Sequence, residues 1–255
     1  MVIHPTAAQG YTAKSDAFAR GRPDYPPELA DWLRTDLGLG PGKVALDLGS
    51  GTGKFLPTLR ATGASVLAVE PLDAMRARLI EDNPGVEAMA GSAEHIPLAD
   101  CSVHAVVCAQ SFHWFANRRA VAEIHRVLKL RGMLGLVWNV RDERVPWVAA
   151  LGSIIELYAD DTPRYRQDDW RRLFPAEGFS PLVEKHFPHH HTGSPERVIV
   201  DRTLSTSFIA ALPLARQDEI AVRIRALIAS TPELAGKSEV SYPYQTVALS
   251  CRRLV

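Results

Sequence analysis

The sequence predicts an α/β protein built on a doubly wound, mostly parallel sheet with helices on both faces. Residues 44–140 alternate between short apolar runs and helix-compatible segments. Such unbroken apolar runs are typical of strands buried on both sides of a parallel sheet, whose crossovers are right-handed. A glycine-rich turn directly after the first strand marks the carboxyl edge of the sheet as a ligand site.

Composition restricts the class of protein and its partners. Lys plus Arg and Asp plus Glu number 29 each in 255 residues, so the formal net charge is zero. Nucleic-acid-binding proteins usually carry a basic surplus, so we expect no nucleic-acid partner. No apolar run approaches the ~18 residues of a membrane-spanning helix, and the N-terminus lacks the apolar core of a signal peptide. Three cysteines without a CxxC pair favour a reducing compartment, which predicts a cytoplasmic protein without membrane association.

Apolar periodicity and breaker residues define the elements in chain order. An amphipathic helix begins after Pro26-Pro27. Strands are predicted at 44–48, 65–69, 86–90, 103–109, 132–140, 182–186 and 240–250. Helices are predicted at 53–62, 73–81, 117–129, 195–212 and 214–230. We predict one domain, divided into an N-terminal cap (1–40), a ligand-binding core (41–140), a helical lid with strand six (141–235) and the last strand (236–255).

The stretch VALDLGSGTGK at 44–54 carries the strongest functional signal. Gly49, Gly51 and Gly53 recur at every second position, whereas a dinucleotide site has GxGxxG, with its third glycine where Lys54 stands. Asp47 would repel a pyrophosphate but attract an ammonium or sulfonium group. A tight turn without a ligand is the structural alternative.

Polar residues also follow the next predicted strands at the same edge of the sheet. Glu70 lies about 20 residues beyond the glycines, where an acid accepts hydrogen bonds from ribose hydroxyls, although a solvated loop acid is possible. The segment Ser92-Ala93-Glu94 follows the third strand, where Ser92 could instead cap a helix. Gln110 begins the segment QSFHWF after the fourth strand. These loops are predicted to converge on one cleft.

Taken together, the motifs resemble those of the class I S-adenosylmethionine-dependent methyltransferases, and within them the small-molecule type-11 group. LDLGSGTG is similar to the first motif, and VEP at 69–71 with Met75 to the second. GSAEHIPLAD (91–100), VVCAQSFHWF (106–115) and EIHRVLKLRGMLGLVW (123–138) are similar to the next three. ARGRPDYP at 19–26 together with QSFHWF is similar to a subgroup related to trans-aconitate methyltransferases. Leu130-Arg131-Gly132 departs from the usual Pro-Gly-Gly.

The resemblance implies a Rossmann-like seven-stranded sheet of order 3-2-1-4-5-7-6, with an antiparallel last strand and a helical lid. It also implies S-adenosylmethionine as cofactor and S-adenosylhomocysteine as product. The methionine end would be held by Asp47, Gly49, Ser50 and Gly51, the ribose by Glu70, and the adenine by Pro71, Met75, Ser92, Ala93 and Glu94. Gln110 would lie near the sulfonium.

The residues that would contact the methyl acceptor are less clearly marked. His113 could be a general base with a near-neutral pKa or a satisfied surface imidazole. The tract His189-His190-His191 is predicted to be a solvated loop, because adjacent histidines point in different directions, so no metal site is expected. Candidates for substrate contact, each of which could instead be surface or packing residues, are Tyr11, Arg22, Trp114, Arg141 and Trp147.

The sequence therefore predicts methyl transfer from S-adenosylmethionine to a small molecule, either a carboxylate or an apolar or aromatic metabolite. A carboxylate acceptor needs no general base. The alternative is a regulatory protein that binds the cofactor without turnover. A nicotinamide-dependent reductase conflicts with Asp47 and the early third glycine. The oligomeric state is expected to be a monomer or a homodimer.

Overall fold

A computed structural model describes residues 22–160 and 162–255 and contains one seven-stranded sheet. Its order, β3-β2-β1-β4-β5-β7-β6, is the predicted one. The strands from β3 to β5 in that order pair in parallel, and β7 runs antiparallel to both of its neighbours. The strands are β1 (Val44–Leu48), β2 (Ser65–Val69), β3 (Glu87–Met89), β4 (Val103–Ala109), β5 (Leu128–Arg141), β6 (Val183–Gly193) and β7 (Val240–Arg252).

Helices cover both faces of the sheet, as predicted for a doubly wound fold. Leu46 and Val106 pack towards α4 on one face, whereas Ala45 and Val107 pack towards α1 and α2 on the other. The helices are α1 (Glu28–Thr35), α2 (Leu56–Arg60), α3 (Asp73–Asp82), α4 (Arg118–Val127), α5 (Pro146–Glu156), α6 (Arg202–Leu204), α7 (Ser207–Ala210) and α8 (Leu214–Ser230), with a π-helix at Glu196–Asp201. Short 3₁₀ turns lie at Phe112–Trp114, Tyr165–Gln167 and Asp169–Leu173.

The lid has a hydrophobic core of its own. Residues of α5, the π-helix and α8 pack together with Tyr242 and Tyr244, which lie at the start of β7. The strand thus extends beyond the main sheet core to carry the lid. This second core fixes the lid at the carboxyl edge of the central strands, where the predicted cleft lies.

Two predicted elements of the lid are wrong in extent. The segment 195–212 is not one helix, because the π-helix, α6 and α7 interrupt it. Strand six continues to Gly193 and includes His189-His190-His191, which are therefore strand residues and not a solvated loop. Pairing with β7 imposes the extended conformation on the histidine tract. β6 is an edge strand, and it carries Pro188 and the charged residues Glu184 and Lys185.

The glycine turn provides a test of how tightly this part of the fold is packed. Gly53 has φ +81°, and an added Cβ would lie 2.7 Å from Asn83 Nδ2 and 2.9 Å from Leu79 Cγ. Gly42 has a similar φ of +79°, but nothing lies within 4 Å of an added Cβ.

We predict that Gly53→Ala lowers the free energy of unfolding by about 2–4 kcal/mol, because strain at positive φ adds to overpacking. Gly42→Ala, the matched control, should cost only the strain, about 1–2 kcal/mol. Urea unfolding of both variants measures the difference. An equal loss of unfolding free energy in both variants would show that Asn83 and Leu79 move aside for an added Cβ without a measurable cost.

Candidate active site

A carboxylate from β2 fixes the shape of the glycine turn that follows β1. Glu70 Oε2 accepts a hydrogen bond from the Gly51 N–H at 2.8 Å, and Oε1 accepts one from the Leu72 N–H at 2.9 Å. Burial raises the pKa of Glu70, while these two N–H groups act to lower it. Since a carboxylate oxygen can accept two hydrogen bonds, each oxygen keeps the capacity to bind one hydroxyl.

The first glycine of the turn is required by a close approach between two loops. Gly49 has φ +71°, and an added Cβ would lie 2.8 Å from Ser111 Cβ. Ser111 in turn donates from its hydroxyl to the Leu48 carbonyl at 2.7 Å, which joins the ends of β1 and β4. Any side chain at position 49 would push these loops apart.

Asp47 is a buried carboxylate without a partner. It is 1% exposed, and neither oxygen accepts a hydrogen bond from the part of the chain that the structure describes. Burial raises its pKa to about 8, and the negative charge of Glu70 adds to the rise. Such a group is costly to bury. It fits a site that a cationic ligand completes. Asp47 does not itself line the neighbouring cavity, whereas the next residue, Leu48, does.

A cavity opens at the carboxyl ends of the central strands. Its wall includes Tyr25, which packs edge-on against Phe55 with ring centroids 4.7 Å apart. Glu94 accepts a hydrogen bond from Asn117 Nδ2 at 2.9 Å, and Asn117 Oδ1 caps α4. The cavity brings together every residue predicted to bind the cofactor except Asp47, namely Gly49, Ser50, Gly51, Glu70, Pro71, Met75, Ser92, Ala93, Glu94 and Gln110.

A second cavity adjoins the first and is lined by aromatic and cationic side chains. Trp114, Trp138, Tyr165 and Phe208 supply apolar surface. Five residues belong to the walls of both cavities, so a molecule in the second would lie next to one in the first: Arg22, Gln110, Trp114, Asn139 and Arg202. Arginine side chains in the second wall are Arg22, Arg141, Arg164, Arg166 and Arg202.

The predicted acceptor-contacting residues divide into three groups. Arg22 and Trp114 line both cavities, and Arg141 lines the second. The side chain of Trp147 is instead buried in the lid core against Tyr242, with ring centroids 5.0 Å apart, and lines neither cavity, which agrees with the packing alternative. Tyr11 lies outside the described residues.

The environment of His113 argues against the predicted general-base role. Its Nδ1 accepts a hydrogen bond from Trp138 Nε1 at 3.1 Å. A neutral imidazole that accepts at Nδ1 carries its proton on Nε2, so neither nitrogen is available to take up a proton. Burial lowers the pKa of His113 to about 3, and the charge of Arg22 adds to this effect. The residue lines the second cavity as a neutral donor.

Asn139 and Arg202 are site residues that the sequence analysis missed. Asn139 Nδ2 donates to the Asp24 carbonyl at 3.0 Å, and its Oδ1 accepts from the Thr246 hydroxyl at 2.6 Å. Lys54 also forms an ion pair with Asp24, at 3.0 Å. Both contacts hold the chain at Asp24, whose neighbours Pro23 and Tyr25 line the first cavity. As a polar residue late in a buried strand, Asn139 follows the rule that identified Gln110. Nothing in the local sequence distinguishes Arg202.

The described ranges 22–160 and 162–255 lack two other kinds of site. No group of three or more His, Cys, Asp or Glu residues there could hold a metal ion. Within the same ranges, no helix combines the length and the apolarity needed to cross a bilayer.

Comparisons with known proteins identify the family. Residues 46–136 match the family model described as a methyltransferase domain. An uncharacterised methyltransferase-like protein of Schizosaccharomyces pombe is 37% identical over 95% of both chains. A malonyl-[acyl-carrier protein] O-methyltransferase of Methylococcus capsulatus is 38% identical over 69% of this chain and 64% of its own. A solved structure from Anaeromyxobacter dehalogenans, described as a type II methyltransferase, is 25% identical and covers 92% of this chain and 98% of its own, with a TM-score of 0.62.

The chain therefore belongs to the class I S-adenosylmethionine-dependent methyltransferases. The fold prediction is confirmed for the seven-stranded mixed sheet, its strand order and its flanking helices. The likeness to trans-aconitate methyltransferases stays a prediction.

The unpaired Asp47 carboxyl has a consequence for stability that can be measured without ligand. Because its pKa is raised to about 8 in the folded protein from about 3.8 in an unfolded chain, the folded state holds the proton more tightly. Its contribution to stability is therefore complete below about pH 4 and is lost as pH rises to about 8.

We predict that Asp47→Asn removes this pH dependence. Urea unfolding of both proteins from pH 5 to pH 8 should show the variant gaining on the wild type by about 2 kcal/mol or more. Any cost of burying an amide is independent of pH and shifts the whole curve. Parallel curves would show that Asp47 is ionised and satisfied in the folded protein.

Proposed function

We propose that this protein transfers a methyl group from S-adenosylmethionine to a small molecule that carries a carboxylate. The choice of S-adenosylmethionine as the methyl donor rests on the pair of buried acids at the glycine turn. Neither Asp47 oxygen accepts a hydrogen bond from the described residues, and Glu70 is fixed with unused acceptor capacity. A nucleoside cofactor with a cationic amino-acid end fits both properties, whereas a pyrophosphate would be repelled.

The residues of the first cavity would hold this cofactor in an extended arrangement. Ionised Asp47 would balance the charge of the methionine end near Gly49, Ser50 and Gly51, and Glu70 would accept hydrogen bonds from the ribose hydroxyls. The adenine would be enclosed by Pro71, Met75, Ser92, Ala93 and Glu94, with Gln110 beside the sulfonium. When bound, S-adenosylmethionine supplies a methyl group on an already activated leaving group.

The second cavity supports a carboxylate acceptor. Its arginine side chains favour an anion, and its aromatic side chains bind the acceptor body and exclude water. A carboxylate oxygen is nucleophilic without losing a proton, which agrees with a neutral, non-basic His113. The protein would therefore act mainly by holding the acceptor in line and keeping the site dry. The Methylococcus relative is named for O-methyl transfer to a malonyl group, which is consistent with such an acceptor.

The alternative of a binding protein without turnover has no support from these relatives, which are named methyltransferases.

We also propose a cytoplasmic location, since Cys101, Cys108 and Cys251 are all free thiols, which a reducing compartment preserves.

Calorimetric titration with S-adenosylhomocysteine tests the cofactor site. We predict binding in the micromolar range by the wild type and no binding of NAD. Asp47→Asn and Glu70→Gln should each weaken binding by about 10–100-fold, because each removes a charge that the ligand needs. Glu87→Gln, an exposed acid on β3, is the matched control and should bind like the wild type. Equal affinity in all four proteins would refute the assignment of these acids.

Turnover on matched compounds tests the acceptor chemistry. We predict transfer from S-adenosylmethionine to carboxylates such as benzoate, phthalate or succinate derivatives, and none to the corresponding amides. At saturating S-adenosylmethionine, where the ionisation of Asp47 no longer limits cofactor binding, the rate should not fall between pH 8 and pH 6, because no base has to be deprotonated on the acceptor side. Methyl esters detected by mass spectrometry would establish the product. Methylation of amines or phenols alone would contradict the carboxylate assignment.

A further inference from the structure

Arg202 is presented to both cavities by an unusual piece of backbone. It follows directly on the π-helix Glu196–Asp201, whose residues Val198, Ile199 and Val200 are buried in the lid core. π-helices are rare and frequently occur at functional sites. The helix turns its apolar residues into the core while the next residue, Arg202, reaches the junction of the cavities.

The charge of Arg202 is not balanced by the described part of the chain. Its NH1 group donates to the Thr206 hydroxyl at 3.3 Å, and its buried Nε has no hydrogen-bond partner among the described residues. A guanidinium has five N–H donors, so most of its capacity is unused. A half-buried cation with unused donors that faces a cavity is suited to an anionic ligand.

Two other arginines of the second cavity, Arg164 and Arg166, already form ion pairs with carboxylates. Arg164 NH1 binds both carboxylate oxygens of Glu156, at 2.7 and 2.8 Å, and Arg166 forms an ion pair with Glu143. These two acids belong to α5 and the loop before it. Arg141 resembles Arg202 instead, because no carboxylate of the described residues lies within ion-pair distance of it.

Arg141 and Arg202 line the same cavity, and the charges of both act on one buried phenol. Tyr242 is fully buried, and its hydroxyl meets no hydrogen-bond partner in good geometry among the described residues. Burial raises the pKa of this phenol, and the charges of both arginines oppose the rise, so both guanidinium groups lie near it. Since the ring is packed between Trp147 and Tyr244, it supplies a rigid surface behind the two cations.

We propose that Arg141 and Arg202 form a two-cation seat for a carboxylate of the methyl acceptor, with Tyr242 as a positioning residue behind it. The inference rests on the proposed function and names the residues that select an anionic acceptor. Arginine suits this role because its planar fork binds both oxygens of a carboxylate. Arg164 and Arg166, held by acids, contribute shape and do not add net charge.

The seat can be tested by binding, independently of turnover. The probes are benzoate, phthalate, succinate and citrate, with benzamide as the neutral control, titrated into protein saturated with S-adenosylhomocysteine. Trp114 and Trp138 line the cavity, so tryptophan fluorescence should report occupancy. Variants are Arg202→Gln, Arg202→Lys and Arg141→Gln, with Arg223→Gln on the exposed face of α8 as the matched charge control.

We expect at least one carboxylate to bind the wild type, and Arg202→Gln and Arg141→Gln to weaken it about 10–100-fold. Arg202→Lys should recover part of the loss, because it keeps the charge without the fork. Arg141→Gln, whose side chain lines only the second cavity, should change the affinity for S-adenosylhomocysteine less than threefold, and any turnover should show the loss in KM and not in kcat. Arg223→Gln should match the wild type.

Three results would overturn the seat: no carboxylate binds the wild type, Arg202→Gln and Arg202→Lys both bind like Arg223→Gln, or benzamide binds as tightly as benzoate. Failure of the proposed function would differ, since it would show as absent S-adenosylhomocysteine binding or as carboxylate binding without methyl transfer. Thermal unfolding of each variant separates a lost seat from a lost fold.

Discussion

The hydrogen bond between the Glu70 carboxylate and the Gly51 N–H is the contact on which the site depends. It joins the ends of two neighbouring parallel strands and holds a left-handed turn open towards solvent. The same acid lies close enough to Asp47 to raise its pKa. The protein thus places two acids where burial of a charge is costly, and the contribution of Asp47 to stability is lost as pH rises to about 8.

The second cavity lies where two hydrophobic cores meet. One core belongs to the sheet and includes Trp138, and the other belongs to the lid and includes Tyr242. Asn139 lies between them and bonds at once to β7 and to the segment at Asp24. Because the two cores are separate clusters, substitutions in the lid core need not disturb the packing around the glycine turn.

The sequence predicted the central strands with the same bounds that the structure shows, at 44–48, 65–69 and 103–109. Those runs are mostly apolar and are followed by Gly49, Glu70 and Gln110, so local sequence and burial agree. The lid was harder. The sequence between Pro195 and Pro213 contains no glycine or proline that would interrupt a helix. The π-helix there coincides with the burial of Val198–Val200 in the lid core, which the local sequence does not reveal.

The site residues follow the same division. Acids and glycines at strand ends could be identified because the sheet places every such end at one edge. His113 and Trp147 could not, since a Trp138 side chain and a Tyr242 ring, both distant in sequence, determine their surroundings. Arg202 could not be predicted either, because its place in both cavity walls depends on how the lid packs against the sheet.

The sheet ends in a long outer strand, β6, and its composition has a consequence for behaviour in concentrated solution. An unpaired strand edge offers a template on which another chain can assemble, the first step towards fibrils. β6 carries Pro188, which lacks an N–H group, and the charged pair Glu184 and Lys185 along this edge. Proline and charge at an edge both discourage such templating. The protein can therefore end its sheet in an eleven-residue outer strand that does not recruit a strand from another chain.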